Sequence, residues 1–337
     1  MPVKYQNQTT AFILGGNNVR INGHGSGTFD GNANKSNYPG RPHALTLNGS
    51  TNSVIKRISF IRSKMWTLSV IYSHKVELDS IFVNNTGNRA QSCELHWQSF
   101  RSSHIKFNNW TVYNGDDRVS LKADSTDISI TNCEFYNGLG IAIGSIGKYT
   151  DQFETIERLT VENISYHTTR PCTRSTLRLG RTTRTVTRQT EEVVVLGANA
   201  SNMTFQNLTS DNIHGGALTI SQCTRFSGAP GEGNASRAHV MFQIIDIKIN
   251  GLEGITQSSN VASLQCSAVA PCIDIGVYDV DLRFANGTEA TGYLCGNFND
   301  VEDFECTEEP RIGGSAIGVE HCSSFDYCCP KIAWYAC

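Results

Sequence analysis

Residues 126–138, TDISITNCEFYNG, and residues 156–167, IERLTVENISYH, decide the fold. Apolar residues alternate with polar ones over short β-branched runs, as at Ile128 and Ile130, and each run ends in Asn, Gly, Asp or Ser. Alternation of period two, closed by turn-forming residues, is the pattern of strands joined by tight turns. The same texture recurs in NNVRINGHGSGTFDG (17–31), NSVIKRISFIRS (52–63), HKVELDSIFVNN (74–85), SHIKFNNWTVYNGDD (103–117) and CIDIGVYDVDLRFANG (272–287). In SNMTFQNLTSDN (201–212) the apolar positions are Met203, Phe205 and Leu208, with one slip. These units return every 20–25 residues or so, which is the spacing of a repeat architecture.

A right-handed parallel β-helix fits this pattern. Each coil would supply about three strands and stack about 4.8 Å from the next, so that aligned Asn side chains bond in ladders. A β-sandwich would need about seven strands and hairpin signals. Here the strands are too numerous, and no Asn-Gly pair sits centred between two alternating runs. The expected fold class is therefore all-β, one solenoid domain over residues 1–306, followed by an atypical Cys-rich tail at 307–337.

The net charge of −3, with 18% charged residues, gives no reason to expect nucleic acid or a membrane as partner. No run of 18 apolar residues is present. The 12 cysteines include two close pairs, Cys266 with Cys272 and Cys295 with Cys306. Neither pair has the two-residue gap of a zinc knuckle and no histidine pair lies nearby, which favours disulfides over metal. Asn-X-Ser/Thr sequons stand at Asn7, Asn34, Asn48, Asn84, Asn109, Asn163, Asn199, Asn202, Asn207, Asn234 and Asn286. An Asn- and Thr-rich structural repeat would also produce them. With the cysteines they point to the secretory pathway, so the protein is expected to be secreted, with its leader missing from this chain.

Chemistry concentrates between Asn114 and Tyr149, in NGDDRVSLKADSTDISITNCEFYNGLGIAIGSIGKY. Asp116 and Asp117 are adjacent, and neighbours on a regular strand point to opposite faces. Both can address one substrate only at a turn or bulge, which Asn114-Gly115 would supply. Two carboxylates held together push each other's proton affinities apart, giving an acid and a base from one residue type. A solvated turn is the plain alternative for NGDD alone. One coil later, Gly138, Gly140 and Ser145 would bring a close-approaching backbone beside the pair.

At these residues the sequence resembles glycoside hydrolase family 28, the polygalacturonases and related pectin hydrolases, with pectin-lyase-like solenoids. The resemblance rests on NGDD with SLK, on GLGIAIGSIGKY, on SNYPGRPHA (36–44) and on ASLQCSAVAPC with GYLCGN, and is strongest to the fungal exopolygalacturonase (galacturan 1,4-alpha-galacturonidase) branch. It implies inverting exo-hydrolysis of galacturonosyl linkages in a pectic polysaccharide. The sequence itself offers no sign of a cofactor or of oligomerisation, so a monomer without a cofactor is expected. The resemblance makes Asp116 the proton donor and Asp117 part of the water-activating pair. The family's third carboxylate falls at Leu95 and its usual histidine at Leu139, so the chain departs from the pattern at both.

The family's basic pair should follow residue 169, where the chain reads RPCTRSTLRLGRTTRTVTRQTEE. Arginines at 170, 174, 178, 181, 184 and 188 have helical spacing, but Thr and Gly make a poor helix. Reading the codons of 170–197 one base out of frame gives, with permitted wobble, SMHAVYVKTWTDDPNGYPPNGGGGGLG. This stretch is expected to be an out-of-frame copy of the substrate-binding coil. With Leu95 and this stretch as they stand, weak or no turnover is expected, the alternative being an inactive family member that still binds polysaccharide.

Overall fold

A computed structural model describes residues 2–3, 8–32, 42–86, 97–114, 117–138, 140–144, 146, 153–167, 177–181, 198–213, 215–221, 242–266 and 270–307. Among these residues all regular structure is β, and every strand pairing is parallel except the contact of Pro2–Val3 with Gln8–Thr9 and a single bridge from Arg283 to Glu289. The long strands stack as successive coils: Ser103–Asn108 on Ser125–Tyr136, then Glu154–His167, Ala198–Ile213, Phe242–Thr256 and Cys272–Arg283. The expected parallel β-helix is what forms.

The register shows why unlike sequences build the same coil. Ile105, Ile128, Leu159, Met203, Ile247 and Ile275 are successive partners, and so are Phe107, Ile130, Val161, Phe205, Ile249 and Val277. All twelve are buried. Each interior position thus needs only an apolar side chain of fitting volume above and below it, because burial area rather than identity supplies the stabilisation.

The slip noticed at Met203–Leu208 is a corner. Asn207 has a φ of 53°, and its partners Asn109, Asn132 and Asn163 have 56°, 54° and 55°. This left-handed conformation turns the strand by one residue, and Asn tolerates it better than other non-glycine residues. The side chains then join from coil to coil. Asn207 Nδ2 donates to Asn163 Oδ1 (3.1 Å), Asn163 Nδ2 to Asn132 Oδ1 (3.1 Å) and Asn132 Nδ2 to Asn108 Oδ1 (2.8 Å). The sequons at Asn163 and Asn207 therefore coincide with a structural ladder. Asn163→Ala removes one donor and one acceptor and puts an alanine in the left-handed region, an expected cost of about 2 kcal/mol. Asn163→Gly should recover part of that cost in urea unfolding, and equal stability of the two variants would contradict the strain contribution.

Cys266 bonds to Cys272 and Cys295 to Cys306, the two pairs expected from their spacing. The thiol of Cys133 is free and buried, and burial pushes its pKa up to about 12.

Candidate active site

The strand Thr111–Tyr113 leads into the carboxylate turn, and Asp117–Leu121 leaves it. Asn114 closes the turn from inside. It is buried, its N–H donates to the Tyr136 carbonyl (3.2 Å), and its side-chain Nδ2 donates to the Asp117 carbonyl (3.2 Å). The same corner is occupied by Asn85 one coil before and Asn137 one coil after, both buried. Their N–H groups donate to the carbonyls of Tyr113 (3.1 Å) and His167 (2.7 Å). Asn114 is thus held at a corner, while Gly115 and Asp116, the middle of the NGDD motif, lie outside the described residues.

A bulge follows at once. Asp117 pairs with Gly140 and Val119 with Ile141, so Arg118 is an extra residue opposite no partner of its own. Bulges of this kind re-aim the side chains beside them. Asp117 is half-buried here. Gly140, at φ 97°, and Gly138, at φ 81°, are both buried. Gly140 thus gives the Asp117 turn a neighbour with no side chain.

Along the column that contains Asp117–Leu121, one line of register partners runs Thr46, Ser69, Gln98, Ser120, Ala142, Arg178, Thr219 and Ser263, and its Thr, Ser and Gln members are buried. Their strand neighbours, such as Leu45, Leu68, Val70, Leu121, Ile143, Leu218 and Leu264, belong to the core. Strand alternation therefore puts the polar line on the face away from it. Ser120 Oγ donates to the Gly144 carbonyl (3.3 Å), as does Lys122 Nζ (2.8 Å).

At the N-terminal end of this line, Gln98 Nε2 donates to Ser69 Oγ (3.4 Å), and Ser69 Oγ bonds His43 Nδ1 (2.8 Å). The His43 ring lies 4.7 Å from that of Trp66, and burial lowers its pKa to about 4, so it is neutral near pH 7. His43 Nε2 and Gln98 Oε1 are buried and make no hydrogen bond among the described residues. This trio was not singled out from the sequence, because only stacking of three coils brings it together.

Asp116, Leu95, Leu139 and Ser145 lie outside the described residues, as do 170–176, 182–197 and 308–337. Within the arginine-rich stretch, Leu177–Arg181 forms a strand between Gly140–Gly144 and Leu218–Ser221, with Arg178 opposite both Ala142 and Thr219. Of the expected site residues, the structure thus brings together Asp117 and Gly140. Among the described residues no cluster of His, Cys, Asp and Glu could hold a metal ion.

The family model for glycosyl hydrolases family 28 matches residues 3–303. The chain belongs to this family. An alpha-L-rhamnosidase of Aspergillus niger is 44% identical over 340 residues, covering 94% of this chain and 75% of that relative. An exopolygalacturonase of Cochliobolus carbonum is 29% identical over 327 residues, covering 92% and 70%. Among solved structures, an endo-xylogalacturonan hydrolase from Aspergillus tubingensis superposes with a TM-score of 0.69 at 20% identity, over 90% of this chain and 80% of that one. The endopolygalacturonase I of Stereum purpureum gives 0.54 at 15% identity, over 90% and 81%. These two share the fold. The family resemblance read from NGDD and its surroundings thus holds over nearly the whole chain. The finer resemblance to exopolygalacturonases is the weaker one, since the rhamnosidase is more similar than the exopolygalacturonase.

Proposed function

We propose that this family 28 protein is a secreted exo-glycosidase of pectic polysaccharide that removes a terminal α-L-rhamnosyl residue, not galacturonate. The 44% identity to an alpha-L-rhamnosidase over 94% of the chain carries this reading. A neutral deoxy sugar asks for hydroxyl and amide partners, whereas galacturonate brings a carboxylate that calls for a cation. Asp116 gives its proton to the glycosidic oxygen, and Asp117 takes a proton from the attacking water, so the sugar leaves with inverted configuration. Leu95, at the place of a third carboxylate, makes turnover slower than in relatives that have one.

Galacturonate release remains the second reading, favoured by Arg178 at a register position of the same column. Rhamnose-terminated rhamnogalacturonan oligosaccharides and oligogalacturonates, offered separately, distinguish them. Free rhamnose is expected at a rate at least about 100-fold above that of galacturonate, a ratio within reach of a site built around neutral hydrogen-bonding groups. Proton NMR should show the β-anomer first. Preferential release of galacturonic acid would overturn the assignment, and binding without release of either sugar would leave an inactive, carbohydrate-binding family member.

A further inference from the structure

The Asn-X-Ser/Thr sequons fall into two groups once their side chains are placed. An N-linked glycan replaces one hydrogen of the side-chain amide and sets a sugar ring beside the other. It therefore suits a sequon whose amide nitrogen is unbonded and faces outward. At Asn109, Asn163 and Asn207 that nitrogen is committed to the preceding coil, donating to Ser80 Oγ, Asn132 Oδ1 and Asn163 Oδ1 at 3.1 Å in each case. Coils about 4.8 Å apart leave no width for a sugar ring between such partners. Asn199 and Asn202 both donate to Ser201 Oγ, at 3.2 and 3.5 Å. Asn7, Asn34 and Asn234 lie outside the described residues.

Asn286 differs in each respect. It stands on the loop between the strands Cys272–Arg283 and Gly292–Gly296, and residues 285–289 are all exposed. The loop is well defined by its own bonds. Phe284 N–H donates to the Thr288 carbonyl and Gly287 N–H to the Phe284 carbonyl, both at 2.8 Å, with Gly287 at φ 87°. Arg283 braces it from the strand end, donating from Nη2 to Glu289 Oε1 (2.6 Å) and from Nη1 to the Gly287 carbonyl (3.3 Å). Asn286 Oδ1 accepts from Thr288 N–H (3.0 Å), an Asx turn, while its Nδ2 makes no hydrogen bond among the described residues. The turn holds the oxygen and leaves the nitrogen on the solvent side. Asn48 and Asn84 are set closer to the coils. Ser50, the hydroxyl residue of the first sequon, is buried and donates to the Leu14 carbonyl (3.4 Å), and Asn84 itself is half-buried.

We infer that Asn286 is an N-glycosylation site, the acceptor of an oligosaccharide linked through N-acetylglucosamine, and that the coil-to-coil ladder keeps Asn163 and Asn207 bare. In the transfer, Nδ2 bonds to the anomeric carbon of a lipid pyrophosphate-linked oligosaccharide. The bond from that carbon to the pyrophosphate oxygen breaks, and one amide proton passes to a base of the transferase. Transfer precedes folding, so the fold acts afterwards: a sugar in the ladder costs bonds between coils, and a sugar on Asn286 costs none. The inference rests on the proposed secretion for its setting, since transferase and lipid donor both belong to the secretory pathway.

The full chain, made in yeast behind an added secretion leader, tests it. Protein from the medium is deglycosylated enzymatically in heavy-oxygen water, which leaves a labelled aspartate wherever an asparagine carried a sugar. Mass spectrometry is expected to show occupancy at Asn286 at least about tenfold above that at Asn163 or Asn207. Thr288→Ala removes the sequon and spares the loop, because both loop contacts of Thr288 run through its backbone. It should abolish the label at 286 and speed migration of the protein on a denaturing gel. Asn286→Gln gives the same losses should Thr288→Ala not reach the medium. An unlabelled Asn286 in the secreted parent, or a smaller ratio to the ladder sites, would overturn the inference. The leader forces entry into the secretory pathway, so this result decides Asn286 by itself. A natural protein retained inside its cells would overturn the secretion reading alone.

Discussion

Asp117→Asn is expected to lower kcat by about 10²–10⁴-fold while leaving the fold intact, and Asp116→Asn by a similar factor. The amide is nearly isosteric with the carboxylate but neither gives nor takes a proton at working pH. The contact that shapes the turn is spared, because Asn114 Nδ2 donates to the backbone carbonyl of Asp117, which the substitution keeps. Loss of rate therefore reports chemistry, not collapse of the turn. The two variants should differ in their pH dependence. An essential base loses its function when protonated, so the acid limb of the parent's profile belongs to Asp117 and is abolished by Asp117→Asn. The alkaline limb belongs to the donor and is abolished by Asp116→Asn. Initial rates on a rhamnose-terminated oligosaccharide over pH 3–8, with far-UV circular dichroism as the control for folding, check both. A variant within tenfold of the parent would remove that aspartate from the mechanism.

The fold was legible because a β-helix demands so little of each residue. Alternation in TDISITNCEFYNG and IERLTVENISYH is enough to place Ile128 above Leu159 without any identity between them. The corners were only partly legible. Asn109, Asn132, Asn163 and Asn207 are residues that favour the left-handed conformation, but Lys75, His104 and Arg158 adopt it too, with φ of 54–56°. Nothing in their own propensities says so. Arg158 is tied to the neighbouring coil: it grips Asp127 through two bonds of 2.7 and 2.9 Å and holds that carboxyl below the usual range.

In the site, Asn114 was legible as a turn former. The bulge at Arg118 was not, because DDRVS contains no glycine and bulge position depends on what the next coil offers, here Gly140. The link from His43 through Ser69 to Gln98 spans separations of 26 and 29 residues. Register alone makes those residues neighbours. Substrate choice was the least legible of all, since one short motif serves hydrolases that differ in the sugar they release.

Trp110→Ala should be the most damaging single core substitution, costing about 3–5 kcal/mol of stability. The indole is 2% exposed, meets the Phe107 ring edge-on at a centroid distance of 5.4 Å, and donates from Nε1 to the Leu78 carbonyl (2.9 Å). Truncation removes the ring contacts and a buried hydrogen bond together, and the void cannot close by drawing the coils nearer. Backbone pairing fixes neighbouring strands about 4.8 Å apart, so the surrounding side chains must fill the space by rotamer changes alone. Trp110→Phe keeps most of the volume and loses chiefly the hydrogen bond, with an expected cost of about 1–2 kcal/mol. Urea unfolding curves of both variants give the comparison. Equal costs would mean that the bond to Leu78, not the packed ring, is what Trp110 contributes. A loss below about 1 kcal/mol for Trp110→Ala would show that the interior relaxes, against the rigidity that the stacked backbone imposes. That rigidity also bears on the site, because Trp110 directly precedes the strand Thr111–Tyr113 that delivers Asn114 and the carboxylate turn. A Trp110→Ala variant that still folds should therefore lose activity out of proportion to its distance in sequence from Asp117.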